Sequence, residues 1–143
     1  MMKYVLLVSH GTFAEGLKNA VEMMASKRGD FKAVGLEEDM QVADFRKKFS
    51  LILQEIKKED KILLFCDILS GSPFTNAIDL INKKDMINNS LIVSGMNMPV
   101  VLNTLLTKDG KNLEEIHQDI NDLKSTTIDI FHHVDNVEEE EAL

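Results

Sequence analysis

Two unbroken apolar runs, Val5-Leu6-Leu7-Val8 and Ile62-Leu63-Leu64-Phe65-Cys66, stand out in a chain that otherwise alternates polar turns with helically spaced apolar positions. A continuous run, unlike an alternating one, suits a parallel strand covered on both faces. Between the runs, Ala14, Leu17, Ala20, Val21 and Met24 predict a helix over 14–24 with that stripe inward. Phe31–Leu36 reads as a short strand. Val42, Phe45, Phe49, Ile52, Leu53 and Ile56 predict a helix over 42–57. After Lys61–Cys66, Pro73 suits the first position of a helix capped by Ser72 and running to 82, with Ala77, Leu80 and Ile81 inward. A strand at 91–93, a short helix at 99–106 and an amphipathic helix marked by Leu113, Ile116, Ile120 and Leu123 follow. Residues 126–131 are β-branched and alternating, as a half-buried edge strand would be.

Strands alternating with helices form the βαβ pattern of an α/β fold, a small open sheet of four parallel strands with helices on both faces. The segment 126–131 adds a late edge strand, which needs cover because an open edge invites pairing; a second copy of the chain could supply it. No repeat or linker splits the sequence, so residues 1–131 read as one domain and 132–143 as an acidic, disordered tail carrying four successive glutamates.

The net charge of -8 argues against nucleic acid, whose binding depends on neutralising phosphates, and against an anionic membrane surface. Cys66 is the single cysteine, so no intrachain disulfide can form, and it reads as an inert buried thiol. The first apolar run is too short for a signal-peptide core and is interrupted by His10-Gly11. No stretch approaches the roughly 20 apolar residues of a membrane helix. These features point to a cytoplasmic protein that reaches a membrane only through partners.

Three loops fall at the carboxyl ends of expected parallel strands: Ser9-His10-Gly11-Thr12, the stretch 67–74, and Ser94-Gly95-Met96-Asn97-Met98-Pro99. Those ends share one edge of the sheet, where open α/β folds bind ligands. A histidine there can act as a nucleophile near neutral pH. Asp67, ending a neighbouring strand, is placed to hold the other ring nitrogen. A phosphoryl group carried on His10 would need donors around its oxygens. The turn at Gly11 and Thr12 and the helix start at Gly71 and Ser72 offer them. Phosphoryl transfer requires mainly positioning and charge stabilisation, so these parts suffice chemically. Met96, Met98 and Pro99 are candidates for an apolar rim where a partner docks. His117, His132 and His133 read as solvated surface, and no His/Cys spacing suggests a zinc site.

The combination of Val8-Ser9-His10-Gly11, the segment from Cys66-Asp67 through Gly71-Ser72-Pro73-Phe74-Thr75-Asn76, and Gly95-Met96-Asn97-Met98-Pro99 resembles the mannose-family enzyme IIA domain of the bacterial phosphoenolpyruvate-dependent sugar phosphotransferase system. The resemblance spans about residues 3–131. It implies that His10 is phosphorylated by the histidine-containing phosphocarrier protein and passes the group to a histidine of enzyme IIB, here expected on a separate chain. It implies that Asp67 orients the imidazole, that Ser72 lies beside the phosphate, and that no metal or organic cofactor takes part. It also implies a homodimer exchanging a C-terminal antiparallel edge strand, and indirect contact with membrane subunits. Positions matching Leu69-Ser70 are often an aromatic and a glycine in that family, so a local change in loop shape is expected. Within the same family, the phosphoryl donor subunit of a dihydroxyacetone kinase is an alternative; the Gly-Ser-Pro-Phe segment favours the sugar system. A histidine phosphatase or mutase would need an arginine directly before the histidine and a second catalytic histidine. Ser9 stands there, and the only arginines are Arg28 and Arg46. A nucleotide-binding module would need glycine-rich phosphate loops that the chain lacks.

Overall fold

The computed structural model describes residues 1–134; the tail expected over 132–143 lies from residue 135 onward outside the described residues. The elements run β1 (Lys3–His10), α1 (Phe13–Ala25), β2 (Phe31–Leu36), α2 (Val42–Gln54), β3 (Lys61–Cys66), α3 (Ser72–Lys83), β4 (Ser90–Ser94), α4 (Met98–Thr107) and α5 (Leu113–Leu123). The four strands are parallel and ordered β2-β1-β3-β4. Both apolar runs are buried from end to end because each faces a core on both sides. Leu6, Val8, Ile62 and Leu64 pack against Phe45, Phe49 and Leu53 of α2 and Ala77 and Ile81 of α3. Val5, Leu7, Leu63 and Phe65 pack against α1, α4 and α5 through residues such as Val21, Val101 and Ile116. Among the described residues no helix is long and apolar enough to cross a membrane.

The order of strands creates the site. From β1 the chain goes through α1 to β2 on one side, then returns through α2 to β3 on the other. The helices leaving β1 and β3 therefore lie on opposite faces of the sheet. A crevice opens between their amino ends, the switch point at which such sheets take ligands.

Several boundaries and faces differ from those read from the pattern. Helix α2 stops at Gln54, and Ile56 is buried just beyond it. In α1 the inward stripe is Ala14, Leu17 and Val21; Met24 is exposed in the last turn. Val42, at the first turn of α2, is also exposed. The connection after α3 contains a short 3-10 turn, Ile87–Asn89, before β4 begins at Ser90.

The largest difference from the sequence pattern concerns 126–131, which form no strand within the single chain. Ile128, Ile130 and Phe131 are 81%, 74% and 74% exposed. An alternating β-branched pattern creates a strand only where a neighbour supplies hydrogen bonds and an apolar face, and no strand among the described residues does so. Among the described residues, β4 pairs with β3 alone, and no strand lies along its outer edge.

Candidate functional site

His10 closes β1, and Gly11 follows at φ 57°, a left-handed conformation that glycine adopts without a Cβ penalty. This turn sends the chain into α1 while the histidine remains at the sheet edge. Ser9 is fully buried, and its Oγ accepts from Ala14 N at 2.7 Å, satisfying an amide of the first helical turn. Thr12 occupies the N-cap position but makes no side-chain cap bond. A Cβ on Gly35 of β2 would land on the Gly11 carbonyl oxygen. The turn can thus lie against β2 only because residue 35 is glycine.

Asp67 follows β3, and the parallel pairing of β1 with β3 brings it to His10. Its Oδ2 accepts from the His10 backbone N at 2.9 Å, and the same oxygen lies 2.8 Å from His10 Nδ1. Ile68 N donates to Oδ1 at 3.0 Å. Partial burial raises the Asp67 carboxyl's pKa, but the His10 backbone amide, the imidazole and the Ile68 amide outweigh it and hold the group below its ordinary value. The carboxylate accepts from Nδ1–H, which fixes the ring's tautomer and plane and directs the lone pair to Nε2. Among the described residues nothing bonds Nε2, and the His10 side chain is 48% exposed against 13% for Asp67.

Gly71 completes the wall. A Cβ there would stand 2.8 Å from His10 Cε1 and 3.5 Å from Nε2, so the imidazole lies against this glycine's backbone. The expected cap is corrected accordingly. Gly71, not Ser72, is the N-cap of α3; Ser72 is the first helical residue and Pro73 the second. A side chain at the cap would collide with the ring. Of the first-turn amides, Pro73 supplies none, leaving Ser72 and Phe74 as donors near the edge. A second correction removes a donor from the cradle: Gly11 N–H is committed to Leu36 O at 2.8 Å. The structure thus brings His10, Asp67 and Gly71 together with Ser72 next in the chain, and it places Gly11, its amide already committed, and Thr12, whose hydroxyl makes no cap bond, beside a groove of about 750 Å³ that includes Glu37, Asp39, Asp44 and Lys48.

The rim expected at Met96, Met98 and Pro99 is only partly presented. Met96 and Met98 are half-buried against the core beneath α4, and only Pro99 is exposed. The exposed apolar side chains nearest the histidine in sequence and loop position are Phe13, Ile68 and Leu69. Ser70, matching a position often held by glycine, takes φ 64°. Cys66 is buried, donates to Val93 O at 3.3 Å, and has its thiol pushed up to about 11 by burial.

Sequence reasoning missed Asn76 and Arg46. Asn76 Nδ2 donates to Ser72 O at 2.8 Å and to Ser72 Oγ at 3.3 Å, while Arg46 Nη1 of α2 donates to Asn76 Oδ1 at 2.8 Å. The i, i+4 spacing of Ser72 and Asn76 carries part of this signal; the contact with Arg46, thirty residues away, carries none.

With this geometry in view, four similarities are informative. The family model described as "PTS system fructose IIA component" matches residues 4–121. The PTS system fructose-specific EIIA component of Bacillus subtilis (strain 168) is 24% identical over 127 residues, covering 89% of this chain and 83% of that protein. Among solved structures, the mannose/sorbose specific IIA subunit of the phosphotransferase system from Enterococcus faecalis superposes with a TM-score of 0.79 at 18% identity, covering 95% of this chain and 99% of that one. The PTS IIA protein associated with the fucose utilization operon from Streptococcus pneumoniae gives 0.71 at 23% identity, covering 99% and 97%.

Proposed function

The chain belongs to the family of PTS system fructose IIA components, and from that premise we propose that it is a phosphocarrier that accepts and donates a phosphoryl group at His10 Nε2. It is a component of a sugar phosphotransferase system. The observation that carries the proposal is the 2.8 Å contact between His10 Nδ1 and Asp67 Oδ2 on a half-exposed ring whose Nε2 makes no other bond among the described residues.

The donor in this reading is a phosphohistidine of the histidine-containing phosphocarrier protein. The Nε2 lone pair forms a P–N bond as the donor's P–N bond breaks, and that bond's electron pair returns to the donor's ring nitrogen. Asp67 stabilises the positive charge that grows on the His10 ring and keeps its proton on Nδ1. The Ser72 hydroxyl and the amides of Ser72 and Phe74 stabilise the phosphoryl oxygens at the positive end of α3. Transfer to a histidine of enzyme IIB reverses the same step. Exposed Phe13, Ile68 and Leu69 would be covered when either partner docks. The reaction belongs in the cytoplasm. Relatives named for fructose, mannose/sorbose and fucose utilisation share this fold, which favours a site built for the phosphoryl group rather than for a sugar.

The test is incubation with phosphoenolpyruvate, enzyme I and the phosphocarrier protein. An acid-labile, base-stable adduct should form on the wild type and be absent from His10→Ala. An adduct retained by His10→Ala removes the site assignment.

The reading extends to a homodimer in which 126–131 of each copy pair along the outer edge of β4 in the other. The single-sided pairing of β4 and the exposed Ile128, Ile130 and Phe131 support it. Light scattering should give twice the chain mass for the full chain and one chain mass when it is cut after residue 125. A truncated protein that stays dimeric refutes the exchange.

A further inference from the structure

Resting on the phosphocarrier reading, we infer that Asn76 and Arg46 are positioning residues that force the Ser72 hydroxyl to act as a donor toward the group on His10. The juxtaposition is a chain of hydrogen bonds crossing from α2 to the first turn of α3. Arg46 Nη2 is anchored by Asp79 Oδ2 at 2.7 Å, and Asp79 is also held by Lys83 at 3.1 Å. Arg46 Nη1 then donates to Asn76 Oδ1 at 2.8 Å, and Asn76 Nδ2 donates to Ser72 O and Oγ.

The direction of the chain follows from donor and acceptor inventory. A carboxamide can present either its oxygen or its NH2 to a neighbour. A guanidinium has five N–H donors and no acceptor, so the amide oxygen must face Arg46 and the NH2 must face Ser72. The Ser72 hydroxyl then has a lone pair occupied, and its single proton must point elsewhere. A serine inside a helix commonly returns that proton to a carbonyl of the preceding turn. Ser72 is the first residue of α3 and has no preceding helical turn. A Cβ at the adjacent Gly71 would lie 3.5 Å from His10 Nε2, so α3 opens beside the nitrogen that carries the phosphoryl group. The proton left over is the one available to a phosphoryl oxygen.

A merely structural Arg46 would tie α2 to α3 and affect stability alone. The experiment therefore measures kcat and KM for phosphoryl transfer from the phosphorylated carrier protein to the full chain, with denaturant midpoints alongside. Ser72→Ala should lower kcat about tenfold, and Asn76→Leu and Arg46→Leu about threefold to fivefold, with KM unchanged. Arg46→Lys keeps a donor for Asn76 Oδ1 and should restore most of the rate. In a Ser72→Ala background, Asn76→Leu and Arg46→Leu should slow transfer no further. Wild-type rates in Asn76→Leu, or undiminished slowing in the Ser72→Ala background, overturn the relay while leaving the phosphocarrier reading in place. A wild-type chain that never acquires the phosphoryl group overturns that reading itself and the relay with it.

Discussion

Asp30 stands at the amino edge of the sheet, one residue before β2, and Asp67 at the carboxyl edge, one residue after β3. Both carboxyls are held below their ordinary pKa, and both lie beside nitrogenous side chains. Asp30 is closed on every side. Arg28 donates to its two oxygens at 2.9 Å through Nε and Nη2, and Lys108 Nζ reaches Oδ2 at 2.7 Å. The Arg28 bonds are the main cause of the depression, against the opposing effect of burial. Lys108 is 1% exposed and also touches Asp109. At Asp67 burial is the largest single influence and acts upward; only the His10 and Ile68 donors bring the group down. Among the described residues its one side-chain partner is an imidazole, whose second nitrogen makes no bond. The first cluster pairs its carboxylate with two cations and leaves no accessible nucleophile, which suits a contribution to stability. The second fixes one end of a ring and leaves the other end open, the arrangement on which the phosphocarrier proposal rests.

This contrast can be tested in sequence from the largest effect down. Asp30→Ala strips the carboxylate from a buried ammonium, a change that costs about 3 kcal/mol; urea denaturation should show it, while transfer per folded molecule stays at the wild-type level. Slowed transfer in that variant would mean the two edges are coupled. Asp67→Ala should do the reverse. Loss of the orienting bond should slow phosphoryl transfer about a hundredfold, with less than about 1 kcal/mol change in stability. Unchanged transfer rates would remove Asp67 from the mechanism.

Gly71→Ala is a finer cut at the same edge. Its backbone φ of -75° suits alanine, but the new Cβ meets Cε1 at 2.8 Å and Ile68 Cγ1 at 3.3 Å. The ring must tilt away from its bond to Asp67, and transfer should fall about tenfold with the fold intact. A rate equal to wild type would show that the ring is not held against α3.

The smallest effect is in the acid limb of stability. Because both carboxyls are lowered in the fold, the unfolded chain binds more protons as pH falls through the carboxylate range. The stabilisation is present above the unfolded value near 4 and is lost progressively below it, toward the lower folded values. Urea midpoints between pH 7 and pH 3 should fall less steeply in Asp30→Asn than in wild type, and the flattening should be weaker in Asp67→Asn, which has no buried cation. Equal flattening would erase the distinction between the edges.

Much of this was legible along the chain. The bounds of β2 and β3 match the apolar pattern: β3 is buried from Ile62 to Cys66, where an unpaired polar side chain would be costly, and edge strand β2 keeps Phe31 and Val34 in the core while Lys32 stays partly exposed. The meeting of His10 and Asp67 at the sheet edge was legible for a related reason: each stands where a buried apolar run ends. Ser72 was identified as a site residue but misplaced by one position, since Ser-Pro is an ordinary helix opening and the imidazole that requires glycine at the cap is sixty-one residues away in sequence. The outward turn of Met24 and the half-burial of Met96 and Met98 depended on where neighbouring elements end. Periodicity does not record that.

What the sequence determined alone is the four core strands and five helices, the parallel arrangement of those strands, and the placing of His10 and Asp67 at one edge of the sheet, since burial and turn chemistry are local demands written into consecutive residues. Only the tertiary structure decided which nitrogen of His10 is engaged, that Gly11's amide is already spent on Leu36, that Arg46 reaches Asn76, and that 126–131 pairs with no strand among the described residues. Those outcomes depend on distances between atoms brought together by the crossover from β2 to β3, and no local pattern of residues encodes such distances.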